Sequence, residues 1–491
     1  MAAPSSPRYL GLSPAVAAGV LIAVATLVRF FFASWLPMLP DETYYFQWSR
    51  HLDASYFSKG PAVAYTIAAG TALWGPTNLG VRFFAVALSA GTAWQVFLLA
   101  RRWFDDTVGL IAVLITGVLP LYVIGAVVMT IDPLSAFFWV WAANLFSQAI
   151  EKEQLAYWLL TGFAVGSGFL AKYLNALELL AFVLFLALVP ARRRWLRHPW
   201  FWAMLAMAVL CTVPVWWWNW QHGWASATQL KTRGGLDHPS GLHPELFLDF
   251  LLLQGGLVVS PLLFIALLVE AVRNLGNLAP KRASQAEGEV LLLLLFLSVF
   301  LFYAVLSWHL RGEPNWPAVS YLSLIILLAA RWRDGLALGK GRGWIVAAFG
   351  LAWIESMLLY DPSLLPLKAK QDPMGRVVGW SEIAAHLDRL RREQHADVLI
   401  ADAYKEASIF SFYLPDHAFI YALRHTPPAN QYDFWPSYPT DPPHRALWIT
   451  GGDGPAALSH DFNHITYLEN VVVYFHGKPF REYTIYECEN R

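Results

Sequence analysis

What most constrains this chain is a succession of apolar segments. Each is close to the roughly 20 residues that a helix needs to cross a bilayer. The first runs from about Pro14 to Leu36, and others follow near 80–100, 108–126, 131–149, 156–171, 174–190, 200–218, 247–271, 289–308, 317–331 and 343–360. They predict about eleven crossings. Lipid offers backbone groups no hydrogen bonds, so such segments must close their own bonds as helices. The expected fold class is therefore a mainly α membrane protein. Composition agrees: 57% of the 491 residues are hydrophobic and 14% charged, against about 25% charged in soluble domains. The first segment is too long for the core of a secretion signal and lacks a small-residue cleavage site, so it reads as a retained membrane helix. The formal net charge is zero, which gives nucleic acid no basic surface to bind. Two cysteines, Cys211 and Cys488, make no disulfide framework.

Orientation follows from the basic residues in the short loops. With the N-terminus cytoplasmic, the inner segments include Arg101, Arg102, "ARRRWLRHPW" (191–200), "EAVRNLGNLAPKRASQ" (270–285) and "ARWRDGLALGKGRGW" (330–344). Over all inner segments the count is about fifteen basic residues, against about seven outside. The outer segments are then 37–79, short turns near Thr130 and Lys172, 219–246 and 309–316. Composition changes after Tyr360. Residues 1–360 form the expected membrane domain, 361–376 a linker, and 377–491 a small α/β domain on the outer face. There "HADVLIADAY" reads as a buried strand and "KEASIFSFYL" as a helix. "HAFIYAL", "ALWITGG", "VVVYFHG" and "EYTIYEC" read as further strands.

The candidates for chemistry gather at outer helix ends. Asp41 and Glu42 follow the first apolar segment, in a loop of about forty residues rich in aromatics. A plain connector is shorter and polar, so 37–79 is expected to form interfacial helices. Asp132, in "VVMTIDPLSAFFWV", is an ionisable residue between long apolar runs, which usually means pairing or function. With Pro133 behind it, Asp132 also fits a helix N-cap. Lys59 in "FSKGP" and Lys172 in "GFLAKYLN" suit a phosphate, and a lysine at a helix end can equally snorkel to the headgroups. His309, Arg311, Glu313 and Asn315 crowd "SWHLRGEPNWPAVSYL". There Arg311 can grip phosphate or simply pair with Glu313. His222, Lys231 and Arg233 lie in a Trp-rich outer loop and rank lower. Asp402, Tyr404 and Lys405 stand at a strand-to-helix turn, where Asp402 fits a helix cap. Carboxylates suit acid/base work, cations suit a phosphate leaving group, and apolar walls suit a long hydrocarbon tail. HExxH, CxxC, P-loop and dinucleotide fingerprints are missing from the sequence. A transporter or lipid flippase would share the polytopic pattern. It would more often show internal repeats and broken helices at mid-membrane.

"PDETYY", the "KGP" some eighteen residues later, "TIDPL", "GFLAKY", "RGEPNWPAVSYL" and "ADAYKEASIFSFYL" occur in that order. The series resembles the GT-C fold glycosyltransferases, in particular the bacterial branch related to protein O-mannosyltransferases and lipid A aminoarabinose transferases. The resemblance implies a multi-pass protein of the bacterial inner membrane with a periplasmic C-terminal domain. It implies a polyprenyl-phosphate sugar donor, inversion at the anomeric carbon, and a lipid A, other glycolipid or protein acceptor. Asp41 matches the essential carboxylate of the first outer loop and Lys59 the basic residue that contacts the donor phosphate. Asp132 and Lys172 match a second acid and a lysine. Glu42, Tyr45, His309, Arg311, Glu313 and Asn315 complete the expected substrate-binding set. Lys-Gly-Pro stands here where Lys-Pro-Pro is common, so a different loop bend is expected. Some relatives use a divalent cation such as Mg or Mn, which Asp41 and Asp132 could share. No metal ligand is assigned.

Overall fold

The structure, a computed structural model, describes residues 11–235, 241–360, 368–369, 372–440, 444–452 and 458–490. The chain forms two compact units. The first comprises Met1–Ser34, Lys59–Val63 and Arg82–Tyr360, and the second Trp35–Ser58, Ala64–Val81 and Asp361–Arg491. A cut at residue 360 therefore does not separate them, because most of the 37–79 segment folds with the C-terminal residues.

The first unit is helical. Among the described residues, six helices are long and apolar enough to cross a membrane: Pro14–Trp35, Asn78–Trp103, Pro199–Gln221, Pro261–Leu278, Glu287–Leu306 and Arg342–Tyr360. Shorter apolar helices include Asp106–Val118, Leu155–Ala171 and Tyr173–Leu188. Ile131–Lys152 and Ala318–Ala337 have spanning length but carry charges near their ends. Hydropathy locates these spans and misses the breaks within them. The 108–126 segment is two helices, because Pro120 has no N–H to donate and pushes Leu119 into extended geometry (φ −73°, ψ 127°). The 247–271 segment is three pieces, Pro244–Leu253, a π-helical turn Gln254–Val258 and Pro261–Asn274. Ser260 at the last break has φ +81°.

The 317–331 segment is the shortest of the expected spans and one of the most buried. Every residue from Ala318 to Ala330 is buried. A helix apolar on all sides belongs inside a bundle. Its leucines and isoleucines share one core with Leu291–Phe296, Ile115, Trp139 and Leu267. Gly162 and Gly166 set another contact. A β-carbon on either would collide with the Met204 or Ala208 carbonyls or with Cys211 on the Pro199–Gln221 helix. This small-xxx-small spacing lets two apolar helices approach backbone to backbone.

The second unit carries a five-stranded sheet in the order β2-β1-β3-β5-β4. β1 (Val398–Ala401) pairs in parallel with β2 (Tyr421–Ala422) and β3 (Arg445–Thr450). β5 (Lys478–Glu489) pairs antiparallel with β3 and β4 (His464–Phe475). His476 (φ +51°) and Gly477 (φ +72°) join β4 to β5, as a two-residue hairpin turn with left-handed residues requires. "HAFIYAL" yields only the two-residue β2, and "VVVYFHG" is the end of a strand that starts at His464. Residues 361–367 and 370–371 of the expected linker lie outside the described residues, and Pro373–Arg376 forms a 3-10 turn. Cys211 and Cys488 are both free. Burial pushes the Cys488 thiol up to about 12.

The helix Pro40–Arg50 packs on the helix Tyr404–Tyr413 within this unit. Tyr413 Oη accepts from the Met38 N–H at 3.0 Å, and Gln47 Nε2 donates to Ser411 Oγ at 2.8 Å. Tyr44 Oη accepts from the Gln431 N–H at 2.8 Å. Burial, the largest influence, holds the Tyr44 hydroxyl well above the usual phenol range.

Candidate active site

Asp132 is built into the first turn of Ile131–Lys152 without being its cap. Thr130 is the N-cap, and its Oγ1 accepts from the Asp132 N–H at 3.2 Å. This corrects the expectation of an Asp132 cap. The cap falls to Thr130 two residues earlier, so the Asp132 carboxylate is left for tertiary partners. Lys172, the C-cap residue of Leu155–Ala171, reaches Asp132 Oδ1 at 2.9 Å. It also donates to the carbonyls of Asn315 and Trp316, both at 3.4 Å. Asn315 Nδ2 donates to Asp132 Oδ2 at 2.6 Å. The Lys172 side chain is only 8% exposed, so it does not snorkel to a headgroup. Three expected site residues from distant parts of the chain thus form one hydrogen-bonded cluster.

A second ring of polar contacts holds this cluster. Asn175 Nδ2 donates to the Ser135 carbonyl at 3.0 Å, and Ser135 Oγ donates to Asn175 Oδ1 at 2.6 Å. These bonds tie the two segments that carry Lys172 and Asp132. Gln254, in the π-turn, donates to the Pro314 carbonyl at 2.9 Å and accepts from Tyr321 Oη at 2.9 Å. That places the residue before Asn315. Sequence reasoning missed Gln254. A polar residue before Gly255-Gly256 inside an apolar segment was its only signal.

Lys59 lies close enough to Asp132 for their charges to interact. The glycine in Lys-Gly-Pro has a definite cause. Gly60 packs against Leu170 at the end of Leu155–Ala171, and a β-carbon there would run into the Leu170 carbonyl. The loop bends against the helix that carries Lys172, which only a residue without a side chain allows.

Asp132 also lines a cavity of about 310 Å³ whose walls are mostly apolar. Leu21, Ala25, Val113 and Leu121 form part of them, and Tyr122, Thr92 and Thr116 add hydroxyls. Arg29 faces the same cavity. It too was missed, although an arginine inside "ATLVRFFFASW" is the kind of intramembrane charge that calls for a reason.

Of the other expected residues in the first unit, Arg311 and Glu313 are not partners of this cluster. Arg311 is exposed and lies 3.7 Å from Asp249, which replaces the anticipated pairing with Glu313. Glu313 is also exposed. His309, exposed as well, sits on an apolar groove with Leu177, Leu180 and Leu301. Asp41, Glu42 and Tyr45 belong to the second unit. Asp41 is exposed in the first turn of Pro40–Arg50. Glu42 is fully buried, and its Oε2 accepts from the Leu39 N–H at 3.1 Å, capping that helix. Tyr45 packs edge-on against Trp48, with centroids 4.9 Å apart. Asp402 does not cap the helix after it. It accepts instead from Trp448 Nε1 (2.9 Å), Thr450 Oγ1 (2.6 Å) and the Gly451 N–H (3.1 Å), tying β1 to the end of β3. Among the described residues no three His, Cys, Asp or Glu side chains converge as a metal site. The Lys172 ammonium, 2.9 Å from Asp132 Oδ1, would oppose a dication at this carboxylate, so the residues present do not fit a bound divalent cation.

Residues 58–218, which include Lys59, Asp132 and Lys172, match the family model described as dolichyl-phosphate-mannose-protein mannosyltransferase. The lipid A galacturonosyltransferase RgtD of Rhizobium johnstonii is 26% identical over 428 residues, covering 84% of this chain and 85% of that protein. The undecaprenyl phosphate-alpha-4-amino-4-deoxy-L-arabinose arabinosyl transferase of Pseudomonas aeruginosa is 31% identical over 199 residues, 36% of this chain and 35% of that protein. ArnT from Cupriavidus metallidurans, solved bound to undecaprenyl phosphate, superposes with a TM-score of 0.65 at 16% identity, covering 95% of this chain and 97% of that one. The chain is homologous to RgtD and the arabinosyl transferases, is a multi-pass membrane protein, and has the GT-C fold of ArnT.

Proposed function

We propose that this protein is an inverting glycosyltransferase. It moves a sugar from a polyprenyl-phosphate donor to lipid A or another envelope glycolipid at the periplasmic face of the bacterial inner membrane. The observation that carries the reading is the Asp132–Lys172–Asn315 cluster, whose Asp132 lines an apolar cavity. A fixed acid and its partners beside space for hydrocarbon suit a tailed phosphoester. The near full-length likeness to a lipid A glycosyltransferase supports the glycolipid acceptor. The preponderance of basic residues in alternate loops supports a cytoplasmic N-terminus and a periplasmic C-terminal unit.

In the reaction the acceptor oxygen attacks the anomeric carbon on the face opposite the phosphate. The bond between that carbon and the phosphate oxygen breaks, and its electron pair leaves with polyprenyl phosphate. Lys59 meets the charge that grows on this leaving group. Asp41, at the position of the outer-loop carboxylate in the resemblance, takes the acceptor proton. Lys172, bound to Asp132, fixes that carboxylate and is not a free phosphate ligand. Asp132 and Asn315 orient the sugar hydroxyls. No step runs through a metal.

The test is transfer of radiolabelled sugar from a polyprenyl-phosphate donor to lipid A by the purified protein. Transfer is expected, and Asp41→Asn should lower the turnover number by roughly 10²–10⁴-fold, the usual worth of general-base help. Near-normal turnover by that variant would remove Asp41 from the mechanism. Lipid translocation without covalent transfer would replace the enzyme with a transporter.

A further inference from the structure

The helix Pro14–Trp35 has a single charged residue, Arg29. It stands six residues before the end of the helix, about 9 Å along its axis. Leu21, Ile22, Ala25 and Arg29 follow helical spacing on one face, and all four line the cavity that Asp132 also lines. Arg29 is therefore turned toward the cavity and not to the surrounding lipid. Its partner is the hydroxyl of Tyr360, which itself donates to the Val123 carbonyl at 3.1 Å. A neutral phenol cannot balance a guanidinium, and no carboxylate acts on Arg29 among the described residues. Asp132, the other ionised group on the wall, is already balanced by Lys172. The cavity thus presents hydrocarbon along Leu21–Ala25 followed on the same helix by an uncompensated cation, and Asp132 lines the same space.

We propose that Arg29 is an anion-binding residue of this cavity and grips an oxyanion of the lipid-linked donor. The assignment rests on the glycosyltransferase reading above. The wall carries a counterpart for each group in such a donor: hydrocarbon for the tail, a cation for the oxyanion and an acid for the reacting sugar. A planar guanidinium fork fits either a phosphate or a carboxylate in a bidentate manner. The oxyanion is the phosphate linker or, if the sugar is a uronic acid, its carboxylate.

The experiment uses the full-length protein in nanodiscs and three ligands. Undecaprenyl phosphate without sugar is measured by binding. A polyprenyl-phosphate hexuronate and its neutral hexose counterpart are measured by KM. Loss of the charge in Arg29→Met should weaken the affected ligand by about 10- to 100-fold. Arg29→Lys should recover part of that loss. Weakening of all three ligands names the phosphate as the oxyanion. Weakening of the hexuronate alone names the carboxylate. Tyr360→Phe removes the intramolecular bond and leaves the charge, so it should lower the melting temperature and keep the affinities. Arg29→Gln keeps a donor for Tyr360 without the charge, and carries the test if Arg29→Met does not fold. Wild-type affinity of either uncharged variant for all three ligands would overturn the assignment and leave Arg29 as a helix staple. If the wild type transfers sugar while these variants match it, only the Arg29 assignment fails. If the wild type neither binds nor transfers, the glycosyltransferase reading fails with it.

Discussion

Lys172→Met leaves the Asp132 carboxylate in a pocket built around a cation. The two groups stand 2.9 Å apart, with side chains 8% and 23% exposed. At an effective dielectric constant of about 20 their attraction is about 6 kcal/mol, before the cost of taking both from water. Breaking such a pair from one side usually costs about 3–5 kcal/mol, because the remaining charge keeps its desolvation penalty. Removing both charges is often close to neutral. Lys172→Met should therefore lower stability by about 3–5 kcal/mol, and Lys172→Met with Asp132→Asn should recover most of it. The amide that replaces the Asp132 carboxylate still presents an oxygen to Asn315, so the double variant keeps a hydrogen bond at that point. Intrinsic Trp fluorescence during thermal unfolding in detergent reads the change. The order of melting temperatures should be wild type, double variant, then Lys172→Met. Two results would refute the reasoning: Lys172→Met as stable as the wild type, or a double variant no better than Lys172→Met. Either would mean that the pair is solvated and that the cluster is not the rigid element taken here to hold the sugar.

Gly60→Ala should cut both folding yield and activity, because the new methyl meets the Leu170 carbonyl and the Lys59 loop must move away. Overpacking of this kind costs about 1–3 kcal/mol, and unchanged KM and melting temperature would count against it. In the second unit, burial alone would raise the Asp416 carboxyl, but Arg391 at 2.9 and 3.1 Å, with the Ala418 N–H, outweighs it and holds the group below its ordinary value. A depressed folded value stabilises above the unfolded pKa and is lost as pH falls through the folded one. The gap in melting temperature between wild type and Arg391→Gln should therefore be constant above about pH 5 and close below about pH 4. A gap that widens in acid would contradict this.

Much of the architecture was legible because membrane helices must be both apolar and long, and that requirement is local. The spans near 80–100, 200–218 and 343–360 appear with nearly the same ends. What hydropathy does not register is where the backbone breaks inside an apolar run. Leu119–Pro120 and Gln254–Ser260 interrupt helices within segments that stay largely apolar. Asp132, Lys172 and Asn315 were each legible as unusual residues. Their convergence was not, since Asp132 and Asn315 are 183 positions apart and no periodicity links them. The cap at Thr130 turned on a choice of two residues that propensity does not resolve, and Arg311 found Asp249 far earlier in the chain in place of its near neighbour Glu313. Arg29 was overlooked for a different reason. One charge scarcely lowers the mean hydropathy of a long span, so averaging hid it.

The helix Pro40–Arg50 draws its partners from far down the chain: Gln47 binds Ser411, 364 positions later, and Tyr44 receives the Gln431 N–H, 387 positions later. At about 5–20 residues per second of synthesis, a separation of 387 positions is roughly 20–80 seconds. During that interval the segment emerges, and every membrane helix between is threaded, before its hydrogen-bonding surface exists. This part of the protein must therefore be completed late in biogenesis, and an early stop after Tyr360 would strand it with its Tyr and Gln side chains facing water.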